Sequence, residues 1–316
     1  MKFIFSMDSS QIKQFMICPL SWYLQYQVNP EIAGSKNLKL KTAYPKGGGA
    51  DKGTYVHKLN DVFFSLRAAQ RTQSSQAHAH AAMEFIKTAG TADALGIGKD
   101  DERFLLERFL QFVLHHDSRK DELIPIKDPE GNPGVEVPFS KVLFEDADRM
   151  YIVEGRIDLL CMLNRGQVKA WADHKTQSRF NDLYHWKPQF LTYAWATGFN
   201  YGLINYIGLQ QKINANTFRY VPIEFPEWKI EEWADKMLQC FRVIEEGLTG
   251  PIDPLQYFYN RKIEASCGGA FESTPCMFTK LCEIEPWNQR LKDFVMEREF
   301  ELVEKWQPWK LEVEEA

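Results

Sequence analysis

Residues 149–163, RMYIVEGRIDLLCML, and 167–175, QVKAWADHK, decide how this chain is read. Both runs are β-branched, aromatic or otherwise apolar, and Asn164-Arg165-Gly166-Gln167 between them has the make-up of a hairpin turn. Side chains alternate faces along a strand, so Asp158 shares a face with Arg156 and Leu160, and Asp173 shares one with Lys175. A short turn makes the two strands neighbours, so two carboxylates and one ammonium converge. An isolated D-x-K is more often an exposed ion pair. Here, however, Asp158 stands among Ile157, Leu159 and Leu160, where a carboxylate is costly unless ligated or paired. Such a cluster suits a hard divalent cation, Mg2+ or Mn2+, with a lysine beside it to orient water or steady charge on a phosphoryl group. Glu154, on the face of Asp158, and Glu136 are further carboxylates that read more simply as solvated.

Working outward, VEVPFSKVLF (135–144) reads as a strand before the hairpin. A helix over about 183–197 follows it, then a strand pair around YGLINYIGLQ and NTFRYVPIEF. A long amphipathic helix over 227–248 carries Trp233, Met237, Cys240, Phe241 and Ile244 on one stripe. Toward the N-terminus, Ser9-Ser10 suit an N-cap for a helix bearing Ile12, Phe15 and Met16, and Pro19 fits the first turn of another. Helical spacing recurs over 54–70 and 102–116, and the polar stretch between them leads into one more helix. Residues 34–52 hold five lysines against one aspartate and a triple glycine, and read as a mobile basic loop. The last 20 residues hold seven glutamates against three basic residues and read as a solvated acidic appendage. Helices, a largely antiparallel sheet and more helices make a mixed α/β fold of the α+β kind.

The net charge of −5 excludes a chain coated in positive charge but leaves room for a local basic groove. No apolar run approaches the roughly 18 residues of a membrane span, so no membrane partner is expected. The opening MKFIFSMDSS is too short in its apolar part for a secretory signal, which points to an intracellular, cytoplasmic setting. Of six cysteines, Cys161 and Cys240 fall on apolar stripes and read as core thiols. Cys267, Cys276 and Cys282 form a C-x8-C-x5-C array among Gly, Ser, Thr and Pro, and Cys18 also stands apart. In a reducing compartment, such thiols read as ligands of Zn2+ or of an iron–sulfur cluster before disulfides. The paired C-x-x-C knuckles usual for zinc are missing.

Taken in order along the chain, five stretches resemble one family. They are ICPLSWYLQY (17–26), GTYVH (53–57), EGRIDLL with DHK, QFLTY (189–193) and CGGAFESTPCMFTKLC (267–282). The chain resembles the PD-(D/E)XK nuclease superfamily, in the branch of RecB-type nuclease domains and CRISPR-associated and phage RecB-like exonucleases. The resemblance implies a restriction-endonuclease-like core sheet flanked by helices, within one nuclease domain over 1–290. A helical lobe would span 9–130, a catalytic core 131–225, and a helix with the cysteine cluster 226–290, leaving 291–316 as the appendage. It makes His57, Asp158, Asp173 and the His174 carbonyl metal ligands and Lys175 the catalytic lysine. Gln189 and Tyr193, one helical turn apart, would touch the DNA strand or brace Lys175. Cys18, Cys267, Cys276 and Cys282 would bind a [4Fe–4S] cluster joining the two ends of the domain, with zinc as the alternative. The late cysteines depart from the C-x-x-C spacing of many relatives, since Ser273 stands three before Cys276.

The implied activity is a metal-dependent DNA exonuclease acting on single strands or DNA ends, with Lys36, Lys39, Lys41 and Lys46 guiding the strand. Phage recombination, DNA repair or CRISPR adaptation, with a protein partner from that pathway, is the implied setting. The alternatives are an endonuclease or flap-cutting enzyme of the same superfamily, or a DNA-end-binding subunit of a nuclease or integrase complex.

Overall fold

The computed structural model describes residues 2–27, 36–40, 46–69, 73–118, 123–127, 131–163, 167–177, 187–263, 267, 276–285 and 288–304. In chain order the strands are β1 (Phe3–Asp8), β2 (Lys36–Leu40), β3 (Ile124–Pro125), β4 (Val135–Glu145), β5 (Arg149–Leu163), β6 (Val168–Gln177), β7 (Tyr201–Gly208), β8 (Phe218–Glu224) and β9 (Phe300–Glu304). The helices are α1 (Ser9–Ile17), α2 (Pro19–Tyr26), α3 (Gly49–Ala69), α4 (Ser75–Thr88), α5 (Thr91–Ala94), α6 (Lys99–Ser118), α7 (Pro188–Thr197), α8 (Glu227–Thr249), α9 (Pro254–Tyr259), α10 (Thr279–Cys282) and α11 (Gln289–Glu299). The fold is mixed α/β, with a seven-stranded mixed sheet of path β1-β5-β6-β7-β8, on which β3 and β4 also pair with β5. The chain divides into two compact units of non-contiguous segments: 1–44, 140–155 and 232–310, and 45–139, 156–231 and 311–316.

In the second unit the β5–β6 hairpin pairs antiparallel from Leu163↔Val168 to Leu159↔Ala172, one step short of Asp158 and Asp173. β6 also runs parallel to β7 from Trp171↔Gly202 to Gln177↔Gly208, and β7 pairs antiparallel with β8. One sheet face is covered by α3, α4 and α6, whose Tyr55, Val56, Phe63, Phe64, Phe109 and Phe112 form a core with Leu159, Ala170, Ala172 and Ile207. On the other face Trp171 stacks on Phe190 of α7, with ring centroids 5.5 Å apart, and meets Tyr193 edge-on. The Trp171 ring fills the space where any β-carbon at Gly202 would stand, which is why its strand neighbour is glycine. Small Ala170 and Ala172 under the helices and large Trp171 under α7 follow the period of two that marked this run as a strand.

In the first unit β1 lies parallel to the first half of β5, Phe3↔Arg149 through Asp8↔Glu154. Phe5 meets Trp22 and Phe241 edge-on, and Phe241 stacks on Tyr151 at 5.1 Å. The cap of α1 is Asp8, whose carboxylate accepts from Ser10 N and Gln11 N at 2.7 and 2.9 Å. The serines expected to cap it lie within the helix, because the Asp8 acceptor comes first.

Two expectations need correction. The segment 34–52 is not one basic loop: 36–40 is strand β2, paired antiparallel with β9, and 49–52 open α3. Its count of lysines concealed the alternation of Leu38 and Leu40 with Asn37 and Lys39, a strand pattern. Residues 34, 35 and 41–45 of that segment lie outside the described residues. Likewise, 291–304 are not a loose appendage; they form most of α11 and all of β9, anchored by Phe300, which stacks on Phe278 at 5.4 Å. The turn at 164–166 and the stretch 183–186 lie outside the described residues, and the helix expected over 183–197 is described from Pro188.

Candidate metal centre

His57 and Asp61 project from one face of α3, one turn apart, and the His57 ring bridges to β5. Its Nε2 is 2.8 Å from Asp158 Oδ2, and its Nδ1 is 3.4 Å from Asp61 Oδ1 and 3.6 Å from Glu136 Oε1. Asp158 Oδ2 also accepts the backbone N–H of His174 at 2.7 Å. Across the parted hairpin, Asp173 is fully buried and receives Lys175 Nζ at 2.6 Å on one oxygen and Gln189 Nε2 at 2.9 Å on the other. The same Gln189 nitrogen donates to Tyr193 Oη at 2.8 Å. Asp158, Asp173 and Lys175 thus converge where β5 leaves β6.

Glu136 belongs to this cluster. Its Oε2 takes Arg156 Nη1 at 3.3 Å, and its backbone sits in the left-handed region at φ 51°, the one positive φ outside glycine among the described residues. A β-carbon in that region is strained, so the packing that holds Glu136 there outweighs its intrinsic preference. Reading it as a solvated glutamate underestimated it, since the strand period cannot register a residue that breaks the strand conformation. Asp61 escaped the sequence reading altogether, although its spacing of four from His57 was the available signal. Glu154 belongs to the first unit, where it pairs with Asp8 of β1.

Charge in the cluster is finely opposed. Burial pushes the Glu136 carboxyl up to about 9, helped by the charges of Asp61 and Asp158. Asp173 is raised to about 6 by burial, against the pull of Lys175. Burial alone would raise Asp158 too, but His57, Lys175 and His174 overcome it and hold it well below the usual carboxylate range. His57 shows the converse: burial lowers it, yet Asp158 and Asp61 leave it well above its ordinary value. Burial likewise works against the Lys175 ammonium, and Asp173 and Asp158 more than compensate. Burial lowers the His174 ring to about 3.

Gln189 donates to Asp173, the partner of Lys175, and to Tyr193, which is buried against Trp171. Of the lysines expected to guide a strand, Lys36 and Lys39 lie on β2, Lys46 is exposed in the turn before α3, and Lys41 is outside the described residues.

In the first unit, Cys18 sits buried at the junction of α1 and α2, and Cys282 ends α10. Cys276 N donates to the Cys267 carbonyl at 3.3 Å. The Cys282 thiol is pushed up to about 12, first by burial and then by the neighbouring sulfurs of Cys276, Cys18 and Cys267. Cys276 is raised by burial and by Cys18 and Cys267. Cysteines from both ends of the sequence are therefore electrostatic neighbours, while Cys161 and Cys240 are buried core thiols.

Comparison with known proteins bears on the whole arrangement. The sequence profile of the PD-(D/E)XK nuclease superfamily matches residues 7–283. The chain belongs to the PD-(D/E)XK nuclease superfamily. No match was found among curated proteins. Among solved structures, that of SSO0001 aligns over 62% of this chain and 79% of that one, at 12% identity and a TM-score of 0.27. That likeness is too slight to bear on the fold.

Membership in the PD-(D/E)XK superfamily implies a metal-dependent nuclease, and the donor set fits a divalent cation. His57, Glu136 and Asp158 each offer a ligand atom, all within 4.8 Å of one another. Glu136 Oε1 and Asp61 Oδ1 are buried without a hydrogen-bond partner among the described residues. Carboxyls that raise one another's pKa in a buried cluster are relieved by a cation. None of the described helices is long and apolar enough to cross a membrane.

Proposed function

We propose that this PD-(D/E)XK protein is a metal-dependent DNA exonuclease acting on single strands or DNA ends, within one nuclease domain over residues 1–290. The convergence of Asp158, Asp173 and Lys175 on one face beside His57 carries this reading. Asp158, His57 and Asp173, with the His174 carbonyl and Glu136, would hold Mg2+ or Mn2+, which would supply Lewis-acid activation of a phosphate oxygen and of water. Lys175, fixed by Asp173 at 2.6 Å and lying 5.8 Å over the Phe190 ring, orients the attacking water and steadies negative charge on the phosphate. Gln189 and Tyr193 keep Asp173 in place, so Lys175 reaches the substrate in one orientation.

Cys18, Cys267, Cys276 and Cys282 bind a [4Fe–4S] cluster in this reading, supported by their mutual electrostatic influence. An intracellular setting in phage recombination, repair or CRISPR adaptation is the one this reading carries, from the resemblance of the five stretches to RecB-like nucleases. The test is degradation of end-labelled single- and double-stranded DNA with Mg2+, Mn2+ or EDTA, for the wild type and Asp173→Ala. Metal-dependent loss of label that vanishes in the variant is the expected result, and label position gives polarity. Cutting of closed circular DNA would instead make the enzyme an endonuclease. Binding without cutting in both proteins would make it an end-binding subunit.

A further inference from the structure

His174 lies between Asp173 and Lys175, yet its side chain points to the opposite face of β6 and serves none of the steps above. It is 3% exposed, and its environment is specific. Asn205, fully buried and its register partner on parallel β7, places Nδ2 2.8 Å from His174 Nδ1. Phe64 of α3 stacks on the imidazole, with centroids 5.2 Å apart and planes 12° from parallel. His57 meets the same ring edge-on at 5.7 Å. The ring is thus gripped by a hydrogen bond from the sheet and by a flat aromatic face from α3. The main chain of this residue does the metal centre's work. Its N–H fixes Asp158 Oδ2 at 2.7 Å, and its carbonyl belongs to the peptide leading into Lys175.

We propose that Asn205 is a positioning residue: by donating to His174 Nδ1 it locks the ring, and so fixes the peptides on both sides of His174 that orient Asp158 and Lys175. This rests on the metal-centre reading above. With Nδ2 facing the ring, His174 Nδ1 accepts and the ring proton falls on Nε2, a nitrogen buried without a hydrogen-bond partner among the described residues, so the tautomer is itself a test of the contact. Asn205 never touches the cation or the substrate. It acts through a ring and a backbone, as outer partners of metal sites do when they set the angle of a ligand. Phe64 shares the task from the helical side, which explains why a flat ring faces the imidazole.

The test compares wild type, Asn205→Leu and Phe64→Leu by calorimetric titration of the free protein with Mn2+, by thermal unfolding, and by histidine-ring 15N–1H correlation spectra. The expected result is an Nε2–H tautomer for His174 in the wild type. Mn2+ binding weakens roughly 10- to 100-fold in Asn205→Leu, with cooperative unfolding retained and cleavage partly recovered at high Mn2+. Phe64→Leu, which leaves the hydrogen bond in place, weakens Mn2+ binding in the same direction and carries the test if Asn205→Leu does not fold. Unchanged Mn2+ affinity in the folded variants, or an Nδ1–H tautomer in the wild type, overturns the proposal. If instead Mn2+ binding is indifferent to Asp158→Ala, it is the metal centre itself that fails.

Discussion

Asp158, Asp173 and Lys175 come from one hairpin, whereas Cys18 is separated from Cys267, Cys276 and Cys282 by most of the chain. The hairpin residues are placed by ladder hydrogen bonds whose period is fixed, so their faces follow from counting. The cysteines sit at helix ends and turns, and their neighbourhood depends on how α1, α2 and α10 pack. The two regions also treat charge differently. The carboxylate cluster mixes His57, Lys175 and Arg156 with its acids, so opposite charges already offset one another. Around the thiols, Lys262 opposes the effect of the neighbouring sulfurs on Cys282, and Cys282 in turn acts on Lys292. One region is offset by its own opposite charges, and the other gathers thiols from both ends of the sequence.

Substitutions can separate the two. Lys175→Met should lower the cleavage rate by about 10²–10³-fold, the loss typical of one removed charge-stabilising donor. The fold should survive, because Asp173, already raised to about 6, takes up a proton when its partner is gone. Assayed on end-labelled DNA beside thermal unfolding, wild-type cleavage by this variant would break the assignment of Lys175. Next, Cys282→Ser should empty the thiol site of iron and sulfide after anaerobic purification, while the Asp158 centre still binds Mn2+. Iron-free, colourless wild-type protein would remove the cluster, and zinc in its place would establish the alternative metal. Loss of Mn2+ binding in Cys282→Ser would show that the two regions are coupled.

Smaller effects test the frame beneath the site. Trp171→Ala removes the ring stacked on Phe190 and should cost about 3–5 kcal/mol in denaturant unfolding. Glu136→Gly should run the other way, gaining about 1 kcal/mol of stability by relieving the φ of 51° while weakening Mn2+ binding. No gain in stability would show that Glu136 is unstrained. The smallest change is Asp8→Ala, which removes the α1 cap and should cost roughly 1 kcal/mol without altering cleavage.

What was legible in the sequence follows from these contrasts. β5 and β6 were readable, and with them Asp158, Asp173 and Lys175, because alternation over a long run has a single solution once one face is apolar. Glu136 was discounted because a left-handed residue at a strand start has no signature in alternation. β2 and β9 were missed because two short strands that stabilise each other across the chain look like a charged loop and a charged tail when read separately.

The sequence by itself determined the secondary-structure periods, the hairpin and the face of each of its side chains, since these depend on backbone geometry and near neighbours. Only the tertiary structure decided that α3 lays His57 and Asp61 against Asp158, that Asn205 and Phe64 grip His174, and that Cys18 comes within electrostatic reach of the late cysteines. Those placements arise from burying apolar faces between elements far apart in sequence. No local spacing encodes which face of a helix will meet which strand, because that choice is made by the whole core at once.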